Sequence, residues 1–231
     1  MYLSLETPPS LADMEFSEVV RRRRMVRSYQ SGRPVERTLI THLLELAIRA
    51  PSAGFSQGWH FLVLDSPYEI SQFWDATASA VVGSEGAAPP DRWLVGMRSA
   101  PALILALSDK QAYLDRYAEP DKGWVDRSES RWPAPYWDID TGMASLLVLL
   151  GATDRGLSSC WFGVPPEAAG AIRATFGIPQ RLGFVGVISL GYGAPDRRSP
   201  SLKRGRRPVG EVVSWGRMTP ASTERDEADP S

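Results

Sequence analysis

The residues with the clearest chemical potential in this chain are its arginines. Arg21, Arg22, Arg23 and Arg24 form one run, and Arg27 follows after Met25 and Val26. A second basic cluster near the far end holds Lys203, Arg204, Arg206 and Arg207. A guanidinium stays charged and offers a planar, bidentate fork that matches phosphate and carboxylate oxygens. A few such groups are enough for a single phosphate monoester. The bland alternatives are a solvated basic face or a nucleic-acid patch. Both runs are isolated in a chain of 231 residues with 26 basic and 27 acidic side chains and a net charge of −1. There is thus no global electrostatic case for binding nucleic acid or a membrane surface.

Other chemistries are poorly supported. Gly54-Phe55-Ser56-Gln57-Gly58 fits the Gly-x-Ser-x-Gly pattern of a serine nucleophile. That motif must leave a strand, enter a helix and find its histidine far downstream. Here a helical pattern precedes it, a strand pattern follows, and the only downstream histidine is the nearby His60. His42 and His60 therefore read as packed or hydrogen-bonded residues. The single cysteine, Cys160, excludes an intramolecular disulfide and a multi-cysteine metal site. It lacks an evident activating base and reads as a buried strand thiol. With two histidines, a zinc site would need several carboxylates. Gly191-Tyr192-Gly193 has neither the third glycine nor the following helix of a dinucleotide loop.

The elements that must position the arginines follow from periodicity. Leu11–Arg24 reads as a helix with Phe16, Val19 and Val20 turned inward and Ser10 or Asp13 as cap. A second helix is expected from Pro34, with Glu36 in its first turn. Leu39, Ile40, Leu43, Leu44 and Ala47 make its apolar face, and Pro51 ends it. PSAGFSQG is a loop, and WHFLVLD, ending at Asp65, is a strand. A turn, helix and loop follow to Pro90. The continuous apolar run Ala100–Leu107 reads as a buried strand. Asp140 is expected to cap a helix over Thr141–Arg155 whose sides are nearly all apolar, which implies burial on every side and suits a subunit interface. Leu157–Val164 reads as a strand and turn, Pro165–Phe176 as a helix, and Phe184–Tyr192 as a strand.

Together, these pieces resemble the nitroreductase family. The resemblance is carried by Arg23-Arg24-Met25-Val26-Arg27-Ser28-Tyr29 against the family's Arg-Arg-Ser-x-Arg-x-Phe, and by Ala50-Pro51-Ser52-Ala53-Gly54 against Ala-Pro-Ser-Ala-Gly. It extends through Gln57, Trp59, His60 and Phe61, and through Gly156, Leu157, Ser159, Cys160, Trp161 and Gly163 against Gly-Leu-Gly-x-Cys-Trp-x-Gly. It runs from about Phe16 to Trp215.

The resemblance implies a single α+β domain over residues 16–215. It would have a central, mostly antiparallel sheet flanked by helices and would form an intertwined homodimer. Residues 1–15 would be an arm and 216–231 a disordered polar tail. Flavin mononucleotide (FMN) would be the cofactor, shared between subunits, with NADH or NADPH as reductant. By resemblance, Arg23 contacts the FMN phosphate, Arg24 and the backbone of Met25 belong to the cofactor site, and Arg27 lies at the pyrimidine edge of the ring, where a cation stabilises the reduced anion. Pro51, Ser52, Ala53 and Gln57 reach the flavin of the partner subunit. The backbone at Gly163 and Val164 approaches the central ring. Arg206, with Arg204 second, gives the last phosphate contact, ahead of Pro208 and a closing strand over Glu211–Trp215. The sequence departs from the family at Met25, where a serine hydroxyl is lost, and at Phe55, where an asparagine amide is lost.

Lys110–Asp138 carries Tyr113, Tyr117, Trp124, Trp132, Tyr136 and Trp137 among charges and prolines. It reads either as a surface excursion pinned by aromatics or as a lid. In the lid reading, Trp124, Trp132 or Trp137 would stack on a flat substrate. The implied activity is electron transfer from NAD(P)H to a nitroaromatic, quinone or similar flat acceptor in two half-reactions, with no side-chain nucleophile. The alternatives are specialised flavin chemistry (reductive dehalogenation, dehydrogenation or flavin fragmentation) and a non-catalytic FMN-binding protein. No signal peptide or membrane span is visible, and a cytoplasmic protein is expected.

Overall fold

The computed structural model describes residues 14–81, 92–196 and 199–218. The chain divides into two compact units, Met1–Asp196 and Arg197–Ser231. The first unit is α+β. In chain order its main elements are α1 (Phe16–Arg22), α2 (Arg37–Ala47), β1 (Trp59–Leu64), α3 (Pro67–Val81), α4 (Arg92–Arg98) and β2 (Ala102–Asp109). After them come α5 (Lys110–Tyr117), α6 (Tyr136–Asp154), β3 (Ser158–Phe162), α7 (Ala169–Phe176) and β4 (Leu182–Gly191). The strands form one antiparallel sheet in the order β1-β2-β4-β3.

The sheet is the middle layer of three, and β2 shows why. All eight of its residues are buried, because a strand covered on both faces needs no polar alternation. Leu103, Leu105 and Leu107 pack with Ile70, Phe73 and Trp74 of α3 and Ile172 of α7. Ala102 and Ile104 pack on the other face with Ile40 and Leu43 of α2 and Ala144 and Val148 of α6. A bulge interrupts the β2–β4 register after Ala106, so that Gly186 pairs with Ala106 and Phe184 with Leu107. The close crossing of α6 over α2 depends on Gly151. A Cβ there would meet Leu46 Cδ1 at 2.7 Å and Leu43 Cδ2 at 3.0 Å.

Several boundaries differ from the sequence expectation, each for a tertiary reason. Helix α2 begins at Arg37 rather than Pro34, because Glu36 is extended (ψ 134°) and Val35 is drawn into the α2–α6 core. It ends at Ala47, short of Pro51. Helix α6 starts at Tyr136, directly after Pro135, so Asp140 lies one turn inside it and not at its cap. In a single chain α6 is not covered on every side, since Ile139, Met143 and Leu146 are 43%, 37% and 47% exposed. The excursion after β2 begins with a true helix, α5, capped by the Asp109 carboxylate, which accepts from the Gln111 N–H. Helix α4 is an addition to the elements expected from sequence. The second unit holds a 3-10 turn, Pro200–Arg204, and a short helix α8 (Val209–Val212) in place of the strand expected over Glu211–Trp215. Residues 1–13 of the expected arm and 219–231 of the expected tail lie outside the described residues. Among the described residues, no helix is long and apolar enough to cross a membrane, and no group of three or more His, Cys, Asp or Glu could hold a metal ion.

Candidate cofactor site

The arginine segment leaves α1 and runs along the edge of the sheet beside β3. Met25 makes a parallel bridge to Ser159, and the Val26 N–H donates to the Ser159 carbonyl at 3.0 Å. The Met25 thioether accepts the Trp161 N–H at 3.3 Å. A methionine where the family pattern has serine is thus used for packing and a backbone contact against β3. The Tyr29 hydroxyl donates to the Val26 carbonyl at 2.8 Å and lies 2.7 Å from Ser189 Oγ. Tyr29 is 3% exposed, and its burial pushes the phenol well above its ordinary range. The Arg27 N–H donates to Asp196 at 2.9 Å, and its guanidinium donates to the Met25 carbonyl at 3.3 Å.

The four consecutive arginines are not equivalent. Arg21 and Arg22 both pair with Glu18 on the exposed face of α1, at 2.7 and 2.6 Å. Arg24 is exposed. Arg23, just past the end of α1, turns inward, and its Nη1 is buried with no hydrogen-bond partner. A buried guanidinium nitrogen without an acceptor is unfavourable by itself. Helix α4 supports this segment from behind. A Cβ on Gly96 would lie 2.0 Å from the Arg27 carbonyl oxygen. The sequence reading missed Gly96, because only the approach of two segments far apart in the chain makes it matter.

Strand β3 carries this edge toward Gly163. That glycine is exposed, and a Cβ built on it would meet nothing within 4 Å, so its backbone faces open space. Val164 behind it is half-buried against the core. Cys160 is 2% exposed, and burial pushes its thiol up, so it has the inert character expected.

The loop Pro51–Gly58 is held by a different part of the fold. The Ala53 N–H donates to Asp140 Oδ2 at 2.8 Å, and the Tyr113 hydroxyl donates to the same oxygen at 2.8 Å. Arg116 Nε donates to the Gly54 carbonyl at 3.0 Å. The Gln57 N–H donates to Ser52 Oγ at 3.1 Å, and Ser56 Oγ donates to the Ala53 carbonyl at 2.7 Å. Ser56 is therefore a turn residue leading into β1, and its motif is not a nucleophile elbow. The structure sets Met25 and Val26 of the arginine segment against β3, and holds the Pro51–Gly58 loop through Ala53 to α6 and through Gly54 to α5 instead.

The three candidate tryptophans form one cluster. Trp132 stands at its centre, with ring centroids 4.6 Å from Tyr117, 5.3 Å from Trp124, 5.7 Å from Tyr136, 5.9 Å from Tyr113 and 6.0 Å from Trp137. Arg204 and Arg206 lie in the second unit, and both are exposed. A cleft of about 620 Å³ lies elsewhere, lined by Gln30, Arg33, Arg155, Ser158 and Tyr192 among others, and by none of the candidate cofactor residues. Ser158 and Gly163 are about 16 Å apart along β3 at the usual rise of a strand.

The nitroreductase family model matches residues 20–192. A 4-nitrobenzoate reductase from Nocardioides sp. is 30% identical over 224 residues, covering 87% of this chain and 89% of that protein. Among solved structures, a nitroreductase family protein from Clostridium difficile 630 superimposes with a TM-score of 0.64 at 26% identity, covering 89% of this chain and 100% of that one. A protein from Exiguobacterium sibiricum, crystallised in complex with FMN, gives a TM-score of 0.66 at 21% identity, covering 90% and 100%. The match over three quarters of the chain, on the antiparallel sheet and the arginine segment described above, establishes that this protein belongs to the nitroreductase family.

Proposed function

We propose that the protein is an FMN-dependent oxidoreductase that carries electrons from NADH or NADPH to a nitroaromatic, quinone or similar flat acceptor. The observation that carries this reading is Arg23, a half-buried cation whose Nη1 is buried without a hydrogen-bond partner. A phosphate monoester of the size and charge of the FMN phosphate fits such a group. The open space beside Gly163, farther along the same edge, fits a planar ring approaching the backbone. When bound, FMN supplies the redox chemistry, taking two electrons from the reduced nicotinamide and releasing them to the acceptor. The chain's own residues bind and orient. Arg23 and Arg24 neutralise the phosphate. Arg27 sets a positive charge at the electron-rich edge of the ring. Gly163 and Val164 leave room for the ring and offer backbone polar groups. The family pattern points to Arg206, with Arg204 second, as a phosphate contact, a reading that rests on sequence.

The loop Pro51–Gln57 is fixed to α5 and α6 and not to the arginine segment, which supports its serving the flavin of a second copy. The apolar stripe Ile139, Met143 and Leu146 on α6 supports a homodimer. The aromatic cluster around Trp132 supports stacking of a flat acceptor on Trp124 or Trp137. With reduced nicotinamide as the donor, the cytoplasm is the natural setting.

The test is the purified protein. We expect flavin absorption bands that bleach on adding NADH or NADPH under argon and return with 4-nitrobenzoate or a benzoquinone. A halogenated phenol as the better acceptor would move the protein to specialised flavin chemistry. Bound flavin that neither nicotinamide reduces would make it a non-catalytic FMN protein. A colourless protein that fails to bind added FMN would end the flavin reading.

A further inference from the structure

The loop that carries Ser52, Ala53 and Gln57 follows an unusual course. Gly54, Phe55 and Gln57 all have positive φ, at 61°, 57° and 51°, and Phe55 and Gln57 are the non-glycine residues with positive φ among those described. A side chain in the left-handed region is strained, and it persists only where the surroundings over-determine it.

The surroundings here are one face of α5 and one buried carboxylate of α6. Tyr113, Arg116 and Tyr117 are spaced so that they share a face of α5. Tyr117 Cε2 lies 2.6 Å from where a Cβ on Gly54 would be, and Tyr113 Cε2 lies 2.6 Å from the same point on Gly58. Arg116 holds the Gly54 carbonyl and is itself fixed by Asp121 at 2.7 Å and Glu119 at 2.9 Å. Asp140, 2% exposed, accepts from the Ala53 N–H and the Tyr113 hydroxyl on a single oxygen. A buried carboxylate is retained only where it is well satisfied by hydrogen bonds. This one ties the loop, α5 and α6 to one atom. The same tyrosines also carry the tryptophan cluster, with Tyr117 4.8 Å from Trp124 and Tyr113 6.4 Å from Trp137.

We propose that Asp140 and Tyr113 are positioning residues that hold the Ser52–Gln57 loop in its left-handed course, so that the loop meets the flavin preformed. The pair also fixes that loop relative to the tryptophan cluster. This inference rests on the FMN reading above. Asp140 acts as an acceptor at a fixed place, and its charge is secondary. A preformed loop binds more tightly because less order is lost on binding.

The experiment measures FMN dissociation constants by flavin fluorescence, with thermal melts as the folding control, for wild type, Asp140→Ala, Asp140→Asn, Tyr113→Phe and Phe55→Gly combined with Asp140→Ala. Asp140→Ala is expected to bind FMN about tenfold more weakly, and Tyr113→Phe about threefold more weakly. Asp140→Asn, which keeps an acceptor oxygen, should stay within about twofold of wild type. Phe55→Gly should recover about threefold in the Asp140→Ala background, because glycine adopts the left-handed conformation without strain. A purely structural role for Asp140 gives no such recovery. If Asp140→Ala fails to fold, Tyr113→Phe and Asp140→Asn decide the matter. Equal affinity in wild type and Tyr113→Phe, affinity in Asp140→Asn as low as in Asp140→Ala, or no recovery with Phe55→Gly would each overturn the proposal while leaving the flavin site intact. Failure of wild type to bind FMN would instead overturn the flavin reading itself.

Discussion

At the scale of single residues, the arginine run shows how identical side chains acquire different work. Arg21 and Arg22 are taken up by Glu18, whose carboxyl they hold below its usual range through hydrogen bonds. Such exposed pairs contribute little to stability. Arg23 alone of the run has a buried, unsatisfied nitrogen. Arg23→Ala is expected to weaken FMN binding by about tenfold to a hundredfold, the worth of charge-assisted hydrogen bonds. Its melting temperature without FMN should stay level or rise, because an unsatisfied buried group has gone. Arg21→Ala should leave both unchanged. Fluorescence titration and thermal melts check the contrast. A second residue-scale prediction concerns alkali. Burial raises the phenols of Tyr29 and Tyr113 above their ordinary value of 10.0, with the Asp140 hydrogen bond adding to the rise at Tyr113. Unfolding would release both to ionise near 10. The unfolded chain then binds fewer protons than the folded one, and stability falls as pH climbs past about 10, with no such slope below it. Of the seven tyrosines, these two should gain tyrosinate absorbance only with the unfolding transition.

At the scale of elements, α4 and α5 matter more to the site than their composition suggested. Helix α4 has Gly96 against the Arg27 carbonyl. Gly96→Ala must push α4 and the arginine segment apart, and we expect about 1–3 kcal/mol of destabilisation from the overpacking together with weaker FMN binding. A variant with wild-type melting and affinity would show that the segment tolerates displacement. Helix α5 carries the inner half of the aromatic cluster. Trp132, touched by five aromatic rings, is half-buried, so Trp132→Ala should destabilise by less than the roughly 3–5 kcal/mol of a fully buried aromatic. Trp124 sits at the rim, with Arg131 5.7 Å from its ring. Trp124→Ala is expected to change the KM for a nitroaromatic acceptor by about threefold or more while barely moving the melting temperature, in keeping with the worth of aromatic stacking. Steady-state kinetics with several acceptors separate the two roles. The excursion read from sequence as either surface or lid is thus a small aromatic core of its own, seated on α5.

At the scale of the whole molecule, the candidate site is spread over separate parts of the fold. The arginine segment lies along β3, and the Ser52–Gln57 loop belongs to α5 and α6. The exposed stripe Ile139, Met143 and Leu146 runs along the same α6 that anchors the loop. In the homodimer proposed above, this stripe is the surface that a second copy would cover. Leu146→Glu puts a charge into that stripe at a position that is 47% exposed in the single chain. It should leave the monomer folded by circular dichroism, halve the mass measured by light scattering and weaken FMN retention by more than tenfold, since burying an unpaired charge in an interface is strongly unfavourable. A Leu146→Glu dimer that keeps its flavin would remove α6 from the interface.

Several features were legible in the sequence because they depend on neighbours along the chain. The apolar run of β2, the face of α2, the long apolar α6 and the ordered motifs at Arg23–Tyr29, Ala50–Gly54 and Gly156–Gly163 fall in this group, and they were enough for the fold and the family. The remainder depends on residues far apart in sequence. Asp140, which looked like a helix cap, is 87 positions from the Ala53 N–H that it holds. Gly96 matters only because the Arg27 carbonyl fills the place of its Cβ, and Arg23 differs from its three neighbours only in which way α1 leaves it facing. Helical and strand periodicity is a short-range property that a sequence carries by itself. Whether a charge is paired, a glycine obligatory or a loop strained is set by what packs against it, and only the tertiary structure decides that.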